Sequence, residues 1–185
     1  MIFVPLRLPG AYLIELEPQQ DERGFFARTW DRSVFEAHGL NPRIEQCSVS
    51  FNRRRGTLRG MHYQVAPHEE AKLIRCGRGA IYDVIIDLRP SSAAFGHWEA
   101  VELTADNRRM LYVPEGLAHG FLTLADSTEV FYQISEPYHP ESARGVRWND
   151  PAFAVTWPEP VQVISDRDAS YPDYEPLRME RGSSR

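Results

Sequence analysis

"TLRGMHYQVAPHEEAKLIRCGRGAIYDVIIDL" (Thr57–Leu88) decides the fold. It contains three runs, "TLRGMHYQ", "AKLIRC" and "AIYDVIIDL", split by "VAPHEE" and by the turn signal "CGRG". Each run is rich in β-branched and aromatic residues and too short for an ordinary globular helix, so each predicts a strand. Similar runs recur outward in both directions: "YLIEL", "RIEQCSVSF", "WEAVEL", "RMLYV", "GFLTL" and "EVFYQI", with turn signals at "RPSS", "TADN" and "PEG". Many short strands at near-regular spacing predict an all-β chain, a jelly-roll β-barrel with a few short helices at its periphery. A helix is expected over Ser33–His38, with Ser33 as N-cap. The Pro- and Asp-rich stretch after Trp157 is expected to wrap the barrel as loop and short helix.

The chain has 185 residues, 42% hydrophobic and 25% charged, with a formal net charge of -5. These values suit a single domain over residues 1–185 with an ample core. Mild acidity argues against a nucleic-acid partner. No apolar run approaches the roughly 18 residues of a membrane span, and Pro5, Arg7 and Pro9 spoil the N-terminus as a signal peptide. Cys47 and Cys76 lack a metal-type spacing and read as reduced core residues of a cytoplasmic protein. Lys72 is the sole lysine beside twenty arginines. An ammonium shifts its pKa on burial where guanidinium does not, so this lysine reads either as a buried functional cation or as a lone surface residue.

Strict alternation along "LRGMHYQ" places Arg59 and His62 on opposite faces. They share a face only if the strand bulges, and Gly60 is the residue that permits it. In "IYDVIID" Asp83 stands on one face with Ile81, Ile85 and Asp87. If that face is inward, the carboxylate needs Arg59 or a histidine as partner; otherwise the face is solvated. "VPEGLAHGF" reads as a turn feeding a strand that starts at His119. A metal-binding cupin is one reading of His62 and His119, but such a site wants a second histidine two positions on, and that position is Gln64; His68 falls in a loop. Tyr132 in "EVFYQI" shares a face with Val130 and Ile134, as packing or as an acid. "DERGFFARTW" and "RWNDP" each offer an arginine beside aromatics, either a nucleotide clamp or a strand edge. No phosphate-binding glycine loop or nucleophile elbow occurs in the sequence. A histidine, a lysine, arginines, a tyrosine and aspartates together suit proton transfer beside a carbonyl: a base, a cation for the enolate and an acid.

The motifs "DERGFFARTW", "GTLRGMHYQ", "AKLIRC", "GAIYDVIIDLRPSSAAFGHW", "LTADNRRMLYVPEGLAHGF", "EVFYQI" and "RGVRWNDPAFAVTWP" span nearly the whole chain. Together they resemble the dTDP-4-dehydrorhamnose 3,5-epimerases, cupin-fold enzymes of deoxysugar-nucleotide synthesis. The resemblance implies a cytoplasmic homodimer with no metal and no cofactor. Its substrate would be a nucleotide-linked 4-keto-6-deoxyhexose, inverted at carbons 3 and 5. On the same basis His62 is the base, Asp168 in "SDRDAS" orients and charges it, Lys72 stabilises the enolate, and Tyr132 is the opposing acid. Arg59, Asp83 and His119 match active-site positions. Arg23, Phe26, Gln46 and Tyr138 match positions at or near the nucleotide and the base. Two residues depart from the family pattern: Arg28 stands where familiar members carry glutamate, and Ser48 stands where they carry asparagine. Both fall on the nucleotide-reading side. The alternatives are a mono-epimerase of a GDP- or CDP-linked keto-sugar and a non-catalytic sugar-nucleotide-binding cupin.

Overall fold

The computed structural model describes residues 1–175. Its strands are β1 (Ile2–Pro5), β2 (Tyr12–Glu15), β3 (Gln19–Asp21), β4 (Gly24–Phe26), β5 (Gln46–Asn52), β6 (Leu58–Gln64), β7 (Lys72–Arg78), β8 (Ala80–Asp87), β9 (Trp98–Thr104), β10 (Met110–Val113), β11 (Leu117–Thr123), β12 (Thr128–Ile134) and β13 (Ala143–Gly145). The helices are α1 (Arg32–Ala37) and α2 (Asp166–Ala169). One sheet runs β1-β2-β10-β7-β12-β5 and the other β13-β6-β11-β8-β9, while β3 and β4 form a separate hairpin. Neighbouring strands in both sheets are antiparallel and mostly non-consecutive in sequence, the jelly-roll arrangement of a cupin barrel. No helix among the described residues is long and apolar enough to cross a membrane.

Period-two alternation sorts the side chains. From the first sheet Ile74, Cys76, Leu111, Val113 and Val130 point inward; from the second Ile81, Ile85, Leu103, Leu117 and Phe121 meet them in one core. Fully burying one such side chain stabilises the fold by about 1.5–3 kcal/mol. The outer faces are covered as well. Phe35 of α1 packs with Ile14, Leu73, Met110 and Tyr112 on the first sheet. Phe153, Trp157 and Tyr174 cover Met61, Val84, Ile86 and Ala118 on the second. Residues 158–175 therefore lie along the barrel as loop and short helix, as their composition predicts, and the rest of that stretch lies outside the described residues. Covering of both faces explains why β8 reads as an almost continuous apolar run rather than a clean alternation.

Several local expectations are corrected. The cap of α1 is Asp31, not Ser33: the Asp31 carboxylate accepts the Ser33 N–H at 3.1 Å and the Ser33 hydroxyl at 2.7 Å. β11 begins at Leu117, two residues before His119. Cys76 is in the core, where burial pushes its thiol up to about 11, but Cys47 is exposed on the edge strand β5. "DERGFFARTW" supplies one strand and the turn of the β3–β4 hairpin.

The bulge at Gly60 is present. His119 pairs with His62 and Phe121 with Arg59, so a two-residue step of β11 faces a three-residue step of β6. Gly60 takes a φ of +132°, and a Cβ there would lie 2.5 Å from the Cα of Gly120. A Cβ on Gly120 would meet Met61 Sδ at 2.6 Å and the Arg59 carbonyl oxygen at 2.7 Å. Gly120→Ala is therefore expected to destabilise by about 1–3 kcal/mol through overpacking. Gly77→Ala, whose Cβ would meet its nearest neighbour at 3.8 Å, is expected to stay within about 0.5 kcal/mol. Urea unfolding of the two variants beside the wild type checks this; equal midpoints would show that the β6–β11 contact is not tight.

Candidate active site

The inward faces do not stay apolar along their whole length. On β7 the inward row runs Lys72, Ile74, Cys76; on β12 it runs Val130, Tyr132, Ile134; on β11 it runs Leu117, His119, Phe121. At one end of the barrel these rows turn polar and the sheets enclose a cavity of about 300 Å³. Gln46, Ser48 and Ser50 of β5, Arg59, His62 and Gln64 of β6, and Lys72, His119, Tyr132 and Tyr138 line it. His62 and His119 belong to the five-stranded sheet, Lys72 and Tyr132 to the six-stranded one, so the cavity has two chemically distinct walls.

The His62 ring nitrogen Nε2 lies 2.7 Å from Asp168 Oδ1. Two features bring Asp168 there. The Val163 carbonyl accepts the Leu58 N–H at 2.8 Å, which runs the C-terminal segment beside the start of β6. Ser165 then caps α2 by accepting the Asp168 N–H at 3.1 Å, and Asp168 Oδ2 accepts the Gly60 N–H at 3.2 Å. Burial alone would push the Asp168 carboxyl up. The hydrogen bond and charge of His62, with the Gly60 N–H and Ser165, outweigh it and hold the carboxyl below the usual aspartate value.

Lys72 is 8% exposed, which decides against a surface lysine. Its Nζ donates to Glu70 Oε1 at 2.8 Å and to the His62 carbonyl at 3.4 Å. His119 Nε2 meets Asp83 Oδ1 at 2.5 Å. Asp83 is fully buried behind it and does not itself line the cavity; its Oδ2 has no hydrogen-bond partner among the described residues. The histidine partner expected for an inward Asp83 is therefore His119. The rings of His119 and Tyr132 meet edge to face with centroids 6.2 Å apart. Burial holds the Tyr132 hydroxyl above the usual tyrosine value, helped by the Asp83 charge and only partly offset by Ser50 and Arg59. Tyr132 therefore stays a neutral O–H donor near neutral pH. Arg59 Nε donates to the buried Asn52 side chain at 2.7 Å, which fixes its direction. Gln46 Oε1 accepts the Tyr138 N–H at 3.2 Å.

Other residues lie elsewhere. Arg23 ion-pairs with Asp21 at 2.5 Å on the β3–β4 hairpin, and Phe26 is 69% exposed; neither lines the cavity of this chain. The hairpin is held by its own strand pairing and by the Arg108 guanidinium 4.7 Å over the Phe25 ring. Arg28 pairs with Asp31 beside α1, whereas Ser48 is on the cavity wall opposite Tyr132 in the strand register. Arg147 pairs with Asn149 and Asp173 and does not line the cavity. Sequence reasoning missed Glu70, Arg144 and Arg167, which all line the cavity. Arg167 adjoins Asp168 on α2, and that adjacency was the one available signal; Glu70 and Arg144 carried none, because a loop brings the first to the mouth and the pairing of β13 with β6 brings the second.

A jelly-roll barrel with a cavity-facing histidine held by a buried aspartate, opposite a tyrosine across a cationic cavity, defines the class: an acid–base enzyme of the cupin type. A family model described as dTDP-4-dehydrorhamnose 3,5-epimerase matches residues 5–175, and the chain belongs to that family of isomerases. A dTDP-4-dehydrorhamnose 3,5-epimerase of Methanothermobacter thermautotrophicus is 42% identical over 179 residues, 95% of this chain and 94% of that protein. The crystal structure of a Bacillus anthracis dTDP-4-dehydrorhamnose 3,5-epimerase with TDP and PPi bound superposes with a TM-score of 0.89 at 40% identity, covering 94% of this chain and 99% of that one. A 3'-monoepimerase from Streptomyces bikiniensis in complex with dTDP-quinovose superposes with a TM-score of 0.83 at 33% identity, covering 91% and 86%.

The lowered Asp168 value fixes a sign. Stability from this carboxylate is present above its unfolded value, near 3.9, and is lost as pH falls through its folded value. Asp168→Asn is expected to destabilise by about 1–3 kcal/mol at pH 7. The gap to the wild type should close as pH drops below about 4. Urea midpoints across that range check it, and a gap that persists unchanged in acid would deny the carboxylate its charged role.

Proposed function

We propose that this protein epimerises carbons 3 and 5 of a dTDP-linked 4-keto-6-deoxyhexose, acting over residues 1–185 as one cupin-type unit. The observation that carries the reading is the placement of His62 and Tyr132 on opposite sheets of one cavity. A sugar ring between them presents one face to a base and the other to an acid, as inversion requires. In this reading His62 removes the proton next to the ketone, and Asp168 holds the imidazole and stabilises its charged form. Lys72 stabilises the enolate oxygen. An ammonium about 4 Å away contributes roughly 4 kcal/mol at an effective dielectric of 20. Glu70 keeps that ammonium aimed along the wall until substrate arrives. Tyr132 returns a proton from the opposite face. Arg59, with Arg144 and Arg167 at the same cavity, supplies the positive field for a diphosphate. His119, backed by Asp83, and Gln46 complete the sugar side, and Tyr138 flanks the nucleotide.

We also propose a homodimer. The edge strand β5, paired only with β12 among the described residues, exposes Val49 and Phe51, and the hairpin exposes Phe25 and Phe26. Pairing across such edges removes apolar surface from water and brings the Arg23 and Phe26 of one copy toward the cavity of the other. Without that delivery these two residues have no substrate to touch.

Incubation of dTDP-, GDP- and CDP-linked 4-keto-6-deoxyhexoses in D₂O, read by NMR, tests the reaction and the nucleotide together. Deuterium should enter carbons 3 and 5 of the dTDP sugar; no exchange with any of them would sink the epimerase reading. His62→Ala should slow wash-in by about 10²–10⁴-fold. Tyr132→Phe deletes only a hydroxyl and should retain wash-in, because His62 can return its own proton, while inverted product falls. Wild-type inversion by the phenylalanine variant would return Tyr132 to packing.

A further inference from the structure

Beside the cavity, outside its lining, His68, Glu136 and His139 converge from two loops. One donor atom from each lies within 4.8 Å of the others. His68 Nδ1 is 3.1 Å and His139 Nε2 is 3.7 Å from the same carboxylate oxygen, Glu136 Oε1. In a tetrahedral site with bonds near 2.0–2.1 Å, neighbouring ligand atoms stand about 3.3 Å apart, and the two histidine–carboxylate spacings lie on either side of that value. The three side chains are half-buried, and the two imidazole rings stack 3.5 Å apart at 11° from parallel.

The surroundings are built as metal sites are built. His139 turns Nε2 to the cluster, and its Nδ1 lies 3.2 Å from Glu141 Oε1. That is the carboxylate–histidine arrangement which fixes the tautomer of a ligand and raises its basicity. The Arg43 guanidinium stands 3.6 Å from Glu136 Oε2, leaving Oε1 to face the two imidazoles while lowering the affinity for a cation. The loops are already joined through Gln64: its Nε2 donates to the carbonyls of His68 and Pro137 at 2.9 and 3.1 Å, and its Oε1 accepts the His139 N–H at 2.6 Å.

We propose that His68, Glu136 and His139 bind a divalent transition-metal ion of the zinc type, with one position left for water. Two imidazoles select such an ion over magnesium or calcium, which prefer all-oxygen sites. Binding turns the two rings out of their stack and ties the 65–71 loop to the 135–142 loop. The second loop carries Tyr138 at the cavity mouth, so the metal stiffens the entrance without touching the reacting atoms. The site is independent of the epimerase reading, because neither His62 nor Tyr132 takes part.

Untagged full-length protein, stripped with chelator and titrated with zinc sulfate by calorimetry, tests the proposal. Wild type should bind one Zn²⁺ at this cluster, with magnesium sulfate giving no comparable uptake. His68→Ala with His139→Ala should abolish that uptake, and Glu141→Gln should weaken it about 10–100-fold. Hydrogen exchange of the wild type should slow over residues 65–71 and 135–142 when zinc is added, a readout that needs no variant to fold. A wild type that takes up no zinc, uptake undiminished in the double variant, or unchanged exchange in both loops would overturn the site.

Discussion

The close approach of β6 to β11 at Gly60 and Gly120 is the contact on which the cavity depends. With no side chain on either residue, the two backbones meet where any Cβ would collide. The bulge fits there, and it changes which side chains of β6 face inward. In an unbroken strand Arg59 and His62 would point to opposite faces; across the bulge both line the cavity, while Met61 turns outward to Val84 and Val146. The same stretch positions His62, because the Gly60 N–H binds the carboxylate that also binds the His62 ring. Fold and chemistry are joined at one backbone irregularity.

Core and cavity occupy one continuous space between the sheets. The apolar end anchors the strands, so the polar end can hold charged groups without local collapse. Each buried charge there has a partner: Asp168 has His62, Lys72 has Glu70, and Asp83 has His119. Pairing matters because an isolated ion in such a place costs several kcal/mol. The exception is Asp83 Oδ2, which lacks a hydrogen-bond partner among the described residues. The free cationic capacity is at the mouth, with Arg59, Arg144 and Arg167. Negative charge is thus held within the wall and positive charge presented to the ligand, which suits a nucleoside diphosphate.

The two departures from the family pattern separate in space. Ser48 stands on the cavity wall, register partner to Tyr132, so its short hydroxyl in place of an amide changes what the wall offers a ligand. Arg28 is engaged with Asp31 beside α1 and acts on a cavity only if a second copy brings that cavity to it. Alternation along a strand cannot reveal such a difference, because it assigns a face and not a neighbour.

The sequence by itself determined the strands of the two sheets that carry strong apolar runs, because a two-residue period and turn residues are local properties. It also singled out the bulge, since a glycine between two polar side chains on one strand has few other uses, and the sole lysine stood out by composition. Short segments escaped: β13 and the β3–β4 hairpin have three-residue strands, too few for a period to register, and the apolar β1 runs straight into Pro5, with only four residues to show a pattern. The pairings were decided only by tertiary structure. Asp168 reaches His62 from a hundred residues away because the C-terminal segment runs beside β6, and resemblance rather than periodicity had matched the two. Glu70 on a loop, Arg144 on β13 and Arg167 on α2 joined the cavity through tertiary packing that no local pattern encodes, and His68 met His139 because Gln64 binds the backbone of both loops. Local sequence sets which face a side chain occupies; what it touches across the barrel depends on chain closure over long separations.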